Sequence, residues 1–402
     1  MNIVITGHVD HGKSTLIGRL LFDTNSLPET VIEEARKASE ANGRELEFAY
    51  LLDSFEEERA QNITIDTSRT FFKTAKRRYV IIDAPGHREF LKNMVSGASL
   101  AHAAILIVDA GRGMEEQTKR HALILKLLGL SQVVVVVNKM DSVEFQHQIF
   151  EKIRDEVTKF FAELGSVALA FVPISAKTGE NIVKPSAKMP WYQSGSLLEI
   201  LDNLVEPSEL DANPARFVVQ DRYELDGESV LVGRVESGTL SQGDQLTFLP
   251  SGQCANLKSI KVLEGELQKA TAGRCIGITL DKPAKVCRGE VACAGKPSTA
   301  TREVKSVLFC LSPMGLERSA TYTLKCATQE CDAKVSAIRS RINSSSLESL
   351  GADATMLEDT EVGEVTIQAS TPVVIEQFNV VPGLGRFVLE KNGEICAAGI
   401  VR

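Results

Sequence analysis

The sequence predicts an α/β domain, with a mostly parallel sheet and helices on both faces, followed by two antiparallel β-barrel domains. Three observations carry this expectation. In the first half, continuous apolar runs rich in β-branched residues alternate with helix-periodic stretches. At PSELDANP, residues 207–214, the pattern changes to short alternating strands separated by turn signals. About 190 residues follow, too many for one small barrel, and KPSTATRE, residues 296–303, offers a second break. The expected domains are therefore 1–207, 214–297 and 302–402.

The elements follow in order. NIVIT, residues 2–6, reads as a buried strand, and STLIGRLLF, residues 14–22, as a helix. ITIDTSRTFF, residues 63–72, alternates as a strand does. RYVIIDA (78–84), AAILIVDA (103–110), QVVVVVNKMD (132–141) and LAFVPISA (169–176) are further apolar strands. EQTKRHALILKLLG, residues 116–129, is one of the helical patterns between them. Such strands bury both faces, which places a ligand at their C-terminal ends. Beyond residue 214, SGTLSQGD, LPSGQ and EKNGE mark tight turns, and long helical stretches are scarce.

Composition narrows the function classes. The 402 residues are 43% hydrophobic and 24% charged, ordinary for a globular protein. No apolar run is long enough for a membrane-spanning helix, and the start lacks the pattern of a signal peptide, so a cytoplasmic protein with no membrane partner is expected. A net charge of −8 argues against a broad nucleic-acid surface. Seven basic residues spread through the second region, from Lys258 to Arg288, read as solvated barrel surface. All eight cysteines follow residue 250, none in a CxxC pair, and they read as free thiols in β structure.

The chemistry lies in four short stretches. Gly7, Gly12, Lys13 and Ser14 in GHVDHGKST fit the phosphate-binding spacing G-x-x-x-x-G-K-[ST]. Glycines let the backbone curl its N–H groups toward phosphate oxygens, Lys13 adds a point charge, and the Ser14 hydroxyl suits Mg²⁺. Residues Asp10, His11, Gly12, Lys13, Ser14 and Thr15 form this cradle, and the helix start behind them favours an anion. DAPGH follows the next strand: Asp83 can hold Mg²⁺ through water, and Gly86 can offer an N–H to a terminal phosphate. In NKMD, Asp141 can accept both the N1–H and the amine of guanine, a donor pair adenine lacks. The aliphatic stem of Lys139 can lie on the base, beside Asn138. In SAK, Ser175, Ala176 and Lys177 can bring a backbone N–H to the guanine oxygen. Thr64, in RAQNITIDTS, is a candidate second hydroxyl on Mg²⁺. In this order on an α/β pattern, the four stretches predict a P-loop GTPase that uses GTP/GDP and Mg²⁺.

GHVDHGKST, ERAQNITID, DAPGH, NKMD, SAK and MPWYQSGSLLEILD (189–202) make the chain resemble the translation-factor-type GTPases. That family includes elongation factor 1-alpha, elongation factor Tu and the GTPase (large) subunit of sulfate adenylyltransferase. VGRVESGTLSQGDQLTFLPSG (232–252) and PGLGRFVLEKNGEICAAGIV (382–401) extend the resemblance through both barrels. It implies that His87 positions the attacking water as the catalytic residue, shielded by Val9 and Ile63, and that Asp10 faces the phosphates or an ion. The family usually has glycine where this chain has Asn62, a residue that tolerates positive φ.

The third region resembles the sulfate-activation branch more than an elongation factor, in ATYTLKCATQECDAKVSAIRSRINSSSLESL (320–350). So does LPSGQCANLKSIKVLEGELQKATAGRCIGITL (249–280). The expectation is therefore a GTPase subunit of sulfate adenylyltransferase, driving adenosine phosphosulfate formation with a smaller catalytic subunit. The alternative is an elongation factor-like carrier of aminoacyl-tRNA to the ribosome, its barrels holding the acceptor arm.

Overall fold

The computed structural model describes residues 1–33, 48, 69–83, 101–205, 213–225, 227–263 and 265–402. The chain divides into two compact units, Met1–Glu206 and Pro207–Arg402.

The first unit is built on six strands: β1 (Asn2–Gly7), β2 (Arg69–Lys73), β3 (Arg78–Asp83), β4 (Ala103–Asp109), β5 (Val133–Asn138) and β6 (Ala170–Pro173). Their order is β2-β3-β1-β4-β5-β6. All neighbours run parallel except the edge strand β2, which forms an antiparallel hairpin with β3. Every residue of β4 and of β5 is buried, as a two-sided central strand requires. Side chains alternate between the two faces. Ile3, Ile5, Ile105, Ile107, Val134 and Val136 join the core under α1 (Lys13–Asp23). The alternate set, Val4, Ala104, Leu106, Val108, Val135 and Val137, is buried as well, and α2 (Glu116–Leu127) packs on β4 and β1. In α3 (His147–Glu163), Phe150, Ile153, Val157, Phe160 and Phe161 form one buried stripe at helical spacing. The short α4 (Leu197–Asp202) starts at a capping box, Ser196 with Glu199. It ends on Asp202, which accepts hydrogen bonds from Thr74 Oγ1 and Tyr79 OH, tying it to the β2–β3 hairpin.

In the second unit two six-stranded antiparallel barrels close. The first runs in ring order Gln245–Leu249, Val291–Ala294, Arg216–Leu225, Glu228–Ser237, Cys275–Leu280 and Gln253–Val262, which pairs back to the start. The second runs Thr321–Cys326, Arg386–Lys391, Glu394–Val401, Thr299–Cys310, Glu361–Ile375 and Gln329–Asn343, and closes in the same way. Phe217, Leu231, Leu246, Phe248, Ile260 and Ile278 fill the first; Leu308, Leu324, Val335, Ile367 and Leu389 fill the second. The turn read from EKNGE is a two-residue hairpin with Asn392 at φ 55° and Gly393 at φ 83°. Positive φ at both positions matches the twist of the flanking strands.

The two barrels share a seam. Val218, Val291, Cys293, Val374, Val381 and Leu384 form one buried cluster across it. The buried Arg216 contacts Glu376, whose carboxylate also accepts from Ser298 Oγ at 2.6 Å. Thr328 Oγ1 donates to Val219 O at 2.8 Å, and Asn213 Nδ2 to Val380 O at 2.8 Å.

All eight cysteines are free, as expected, but Cys254, Cys275 and Cys287 are exposed rather than packed. Among the described residues no helix is long and apolar enough to cross a membrane.

Candidate functional site

Gly7, Asp83, Asp109 and Asn138 end β1, β3, β4 and β5, so the C-terminal ends of these parallel strands share one end of the sheet, where the phosphate loop and NKMD begin. Gly12 is the N-cap of α1 with φ 92°, and a Cβ there would stand 2.4 Å from Asn138 Nδ2. Only glycine allows both that angle and that approach. The first backbone bond of α1 is donated by Leu16 to Gly12 O, at 2.9 Å. The N–H groups of Lys13, Ser14 and Thr15 therefore project from the helix start, where the dipole is positive.

Lys13 folds back over the loop, donating from Nζ to Gly7 O at 2.9 Å and to His8 O at 3.0 Å. Burial lowers its pKa, while Asp83 and Asp10 act in the other direction. Asp10 is exposed and sits at φ 64°. Ser14 is exposed at the helix start and Thr15 is half-buried.

Asn138 joins two loops. Its Nδ2 donates to His11 O at 2.9 Å, and its Oδ1 accepts from Ala176 N at 3.0 Å. The Asn of NKMD thus fastens the phosphate loop to SAK. Ser175 is buried, its Oγ accepting from Thr178 N at 3.2 Å, and Lys177 is exposed. Lys139, at φ 62°, sets Nζ 2.8 Å from Asp109 Oδ2. Asp109 is 7% exposed on its side chain, and its other oxygen accepts from Gly111 N at 2.7 Å. Burial works to raise the Asp109 pKa, but the hydrogen bonds from Lys139 and Gly111 together hold it below the usual value.

Asp141 lies in the one-turn helix Met140–Val143 just beyond. Its Oδ1 is buried and has no hydrogen-bond partner among the described residues. A buried carboxylate oxygen without a donor costs free energy unless a ligand supplies one. The loop behind it is braced by Trp191, whose Nε1 donates to Phe145 O at 3.1 Å.

Thr64, Gly86 and His87 lie outside the described residues, as do Asn62 and Ile63.

Residues 1–207 match the family model of the elongation factor Tu GTP binding domain, and 304–402 match the GTP-eEF1A C-terminal domain-like family. The chain belongs to the elongation factor Tu and 1-alpha family. This GTP-binding family accounts for the α/β unit followed by two barrels. Elongation factor 1-alpha of Methanosphaerula palustris is 37% identical, with 100% of this chain and 96% of that protein covered. Elongation factor 1-alpha of Pyrococcus horikoshii is 38% identical over 100% of this chain and 97% of that protein. The Thermoplasma volcanium elongation factor 1-alpha is 38% identical over 99% and 96%. These full-length relatives overturn the expectation of a sulfate adenylyltransferase subunit with a smaller catalytic partner. The stretches 249–280 and 320–350 that suggested it contribute much of the barrel strands, and their alternation is a demand of the fold.

In this family member the sequence reading missed three residues. Asp109, which holds Lys139, ends an apolar run that was read only as a strand. Glu115 meets His11 at 2.6 Å across 104 residues. His121, on α2, is wholly buried, and burial followed by the charges of Lys13, His8 and His11 pushes its pKa down to about 3.

Proposed function

We propose that the chain is a GTP-switched carrier of translation, binding GTP or GDP with Mg²⁺ and bringing aminoacyl-tRNA to the ribosome in the cytoplasm. The observation that carries it is likeness over essentially the full length to proteins named elongation factor 1-alpha, at 37–38% identity.

The phosphates lie on the N–H groups at the start of α1, with Lys13 between them and the loop carbonyls. Asp141, whose buried oxygen has no partner among the described residues, takes the N1–H and amine of guanine. Lys139 lays its stem on the base because Asp109 anchors its ammonium, 2.8 Å away. Asn138 keeps the base loop and the phosphate loop in register, and the backbone at Ser175, Ala176 and Lys177 meets the guanine oxygen. The residues suit Mg²⁺: Ser14, Thr64 and Asp83 offer only hard oxygen donors. When bound, Mg²⁺ supplies charge stabilisation to the phosphate oxygens. Gly86 donates to the terminal phosphate and His87 orients the attacking water, so hydrolysis rests on positioning more than on covalent chemistry.

A groove of about 770 Å³ supports the carrier role. Leu225, Val230, Val262 and Leu263 line it, with Lys261 and Arg234 among its polar residues. Leu263 is fully exposed. Its apolar floor suits an unstacked base or an aminoacyl side chain, while Lys261 pairs with Glu228 at 2.8 Å and Arg234 lies 3.8 Å from Glu236, a carboxylate that also lines the groove.

The test is protection of the aminoacyl ester. With a non-hydrolysable GTP analogue, the protein should slow spontaneous deacylation of aminoacyl-tRNA, and exchange to GDP should abolish the effect. Equal deacylation in both nucleotide states would reject the carrier reading.

A further inference from the structure

His8, His11 and Glu115 place three ligand atoms within 4.8 Å of one another at the base of the phosphate loop. Glu115 Oε2 lies 2.6 Å from His11 Nε2 and 3.6 Å from His8 Nδ1. Glu115 is the N-cap residue of α2, yet its side chain caps no backbone N–H. It turns instead to the two imidazoles.

The hydrogen bonding of His11 exposes a conflict. Its Nδ1 lies 3.2 Å from Ile107 O, which only accepts, so Nδ1 carries the proton. A neutral imidazole then presents a lone pair at Nε2, straight at the Glu115 carboxylate. Two acceptors at that distance repel unless a positive centre stands between them. An imidazole fixed through Nδ1–H to a carbonyl, with Nε2 free, is the arrangement of a metal ligand with its supporting hydrogen bond.

We infer that His8, His11 and Glu115 form a binding site for a divalent transition metal of the zinc class, separate from the Mg²⁺ site. Two imidazoles and a carboxylate, with a fourth position left to solvent, make a set that suits such an ion. In a tetrahedral shell with bonds near 2.0–2.1 Å, ligand atoms stand about 3.3 Å apart. The His8–Glu115 separation of 3.6 Å is close to that, and the His11–Glu115 separation of 2.6 Å must open by under an ångström. The Glu115 side chain is 31% exposed and free to make this shift. His8 is 28% exposed, and its Nδ1 must leave the Val9 carbonyl, 2.8 Å away. A bound ion would clamp the phosphate loop to the start of α2, joining segments about 100 residues apart by three coordinate bonds.

The experiment is a titration of the whole, chelator-treated protein with Co²⁺ alone, followed by visible absorption. The expected result is saturable binding of one ion with the d–d bands of nitrogen and oxygen ligands and no thiolate charge-transfer band. Glu115→Gln and His8→Ala should each weaken it by about tenfold or more. On the unsubstituted protein, Zn²⁺ should shift the imidazole ¹⁵N resonances of two histidines, a readout independent of whether either variant folds. No saturable spectrum, a thiolate band alone, or unmoved histidine resonances would overturn the assignment and leave a proton shared between His11 and Glu115.

Discussion

Lys139 reaches from the end of β5 to the end of β4 and sets its ammonium 2.8 Å from the buried Asp109 carboxylate. With Nζ held there, the four-carbon stem of Lys139 is the part proposed to lie on the base. Asp109→Asn keeps the shape and removes the charge. The expected outcome is GDP release faster by about tenfold, from loss of a charge-assisted hydrogen bond of about 1.5 kcal/mol. Displacement of a fluorescent GDP analogue measures it, and an unchanged rate would separate Asp109 from base binding.

Asp141 leaves one buried oxygen unpartnered among the described residues. Asp141→Asn exchanges an acceptor for a donor, so guanine loses its match and xanthine gains one. GTP affinity should fall by about 100-fold or more while xanthosine triphosphate binding rises. Competition binding with the two nucleotides decides it; parallel losses of both would point to a folding defect.

His121 has a pKa of about 3 in the fold against an ordinary 6.5, depressed first by burial. The unfolded chain therefore takes up a proton at this site before the native one does. The contribution to stability is whole above 6.5 and is lost as the pH falls toward 3. Inside that window each pH unit costs about 1.4 kcal/mol. Denaturant melts of His121→Leu, compared with the unsubstituted protein between about pH 6 and pH 4, should show the shallower decline. Identical slopes would mean that His121 is protonated in the native state.

Thiol chemistry should sort the cysteines by burial. Cys254, Cys275 and Cys287 are exposed, while Cys310 and Cys326 are buried with pKa values pushed up to about 12 by desolvation. The thiolate is the reactive form. Ellman's reagent should react quickly with three thiols and reach the buried ones only in denaturant. Rapid modification of Cys310 or Cys326, located by peptide mapping, would contradict the packing.

Much of this was legible in the sequence because the informative contacts are local. The parallel strands β1, β4, β5 and β6 announce themselves as apolar runs since a two-sided sheet leaves no polar face, whereas the edge strand β2 shows only alternation. The glycine at position 12 and the NKMD and SAK stretches are legible as motifs because each is only a few residues long, and Asn138 joins the three in space. What could not be read are pairings made by strand order. Asp109 meets Lys139 only because β4 and β5 are adjacent with Asp109 opposite Asn138. His11 meets Glu115 only because β1 lies beside β4. The choice of family branch failed for a related reason. The nucleotide motifs are shared by all branches, and the barrel stretches used to choose among them are dominated by the alternation that any such barrel needs.

The seam between the barrels has a consequence for exchange of parts. Val218, Val291 and Cys293 on one side and Val374, Val381 and Leu384 on the other are each half of a surface that is apolar only because its counterpart covers it. A chimera that trades one barrel for a relative's must match that surface, and the Arg216–Glu376 contact, at the same time. The two barrels are therefore a single inheritable cassette, free to drift inside but bound to travel together.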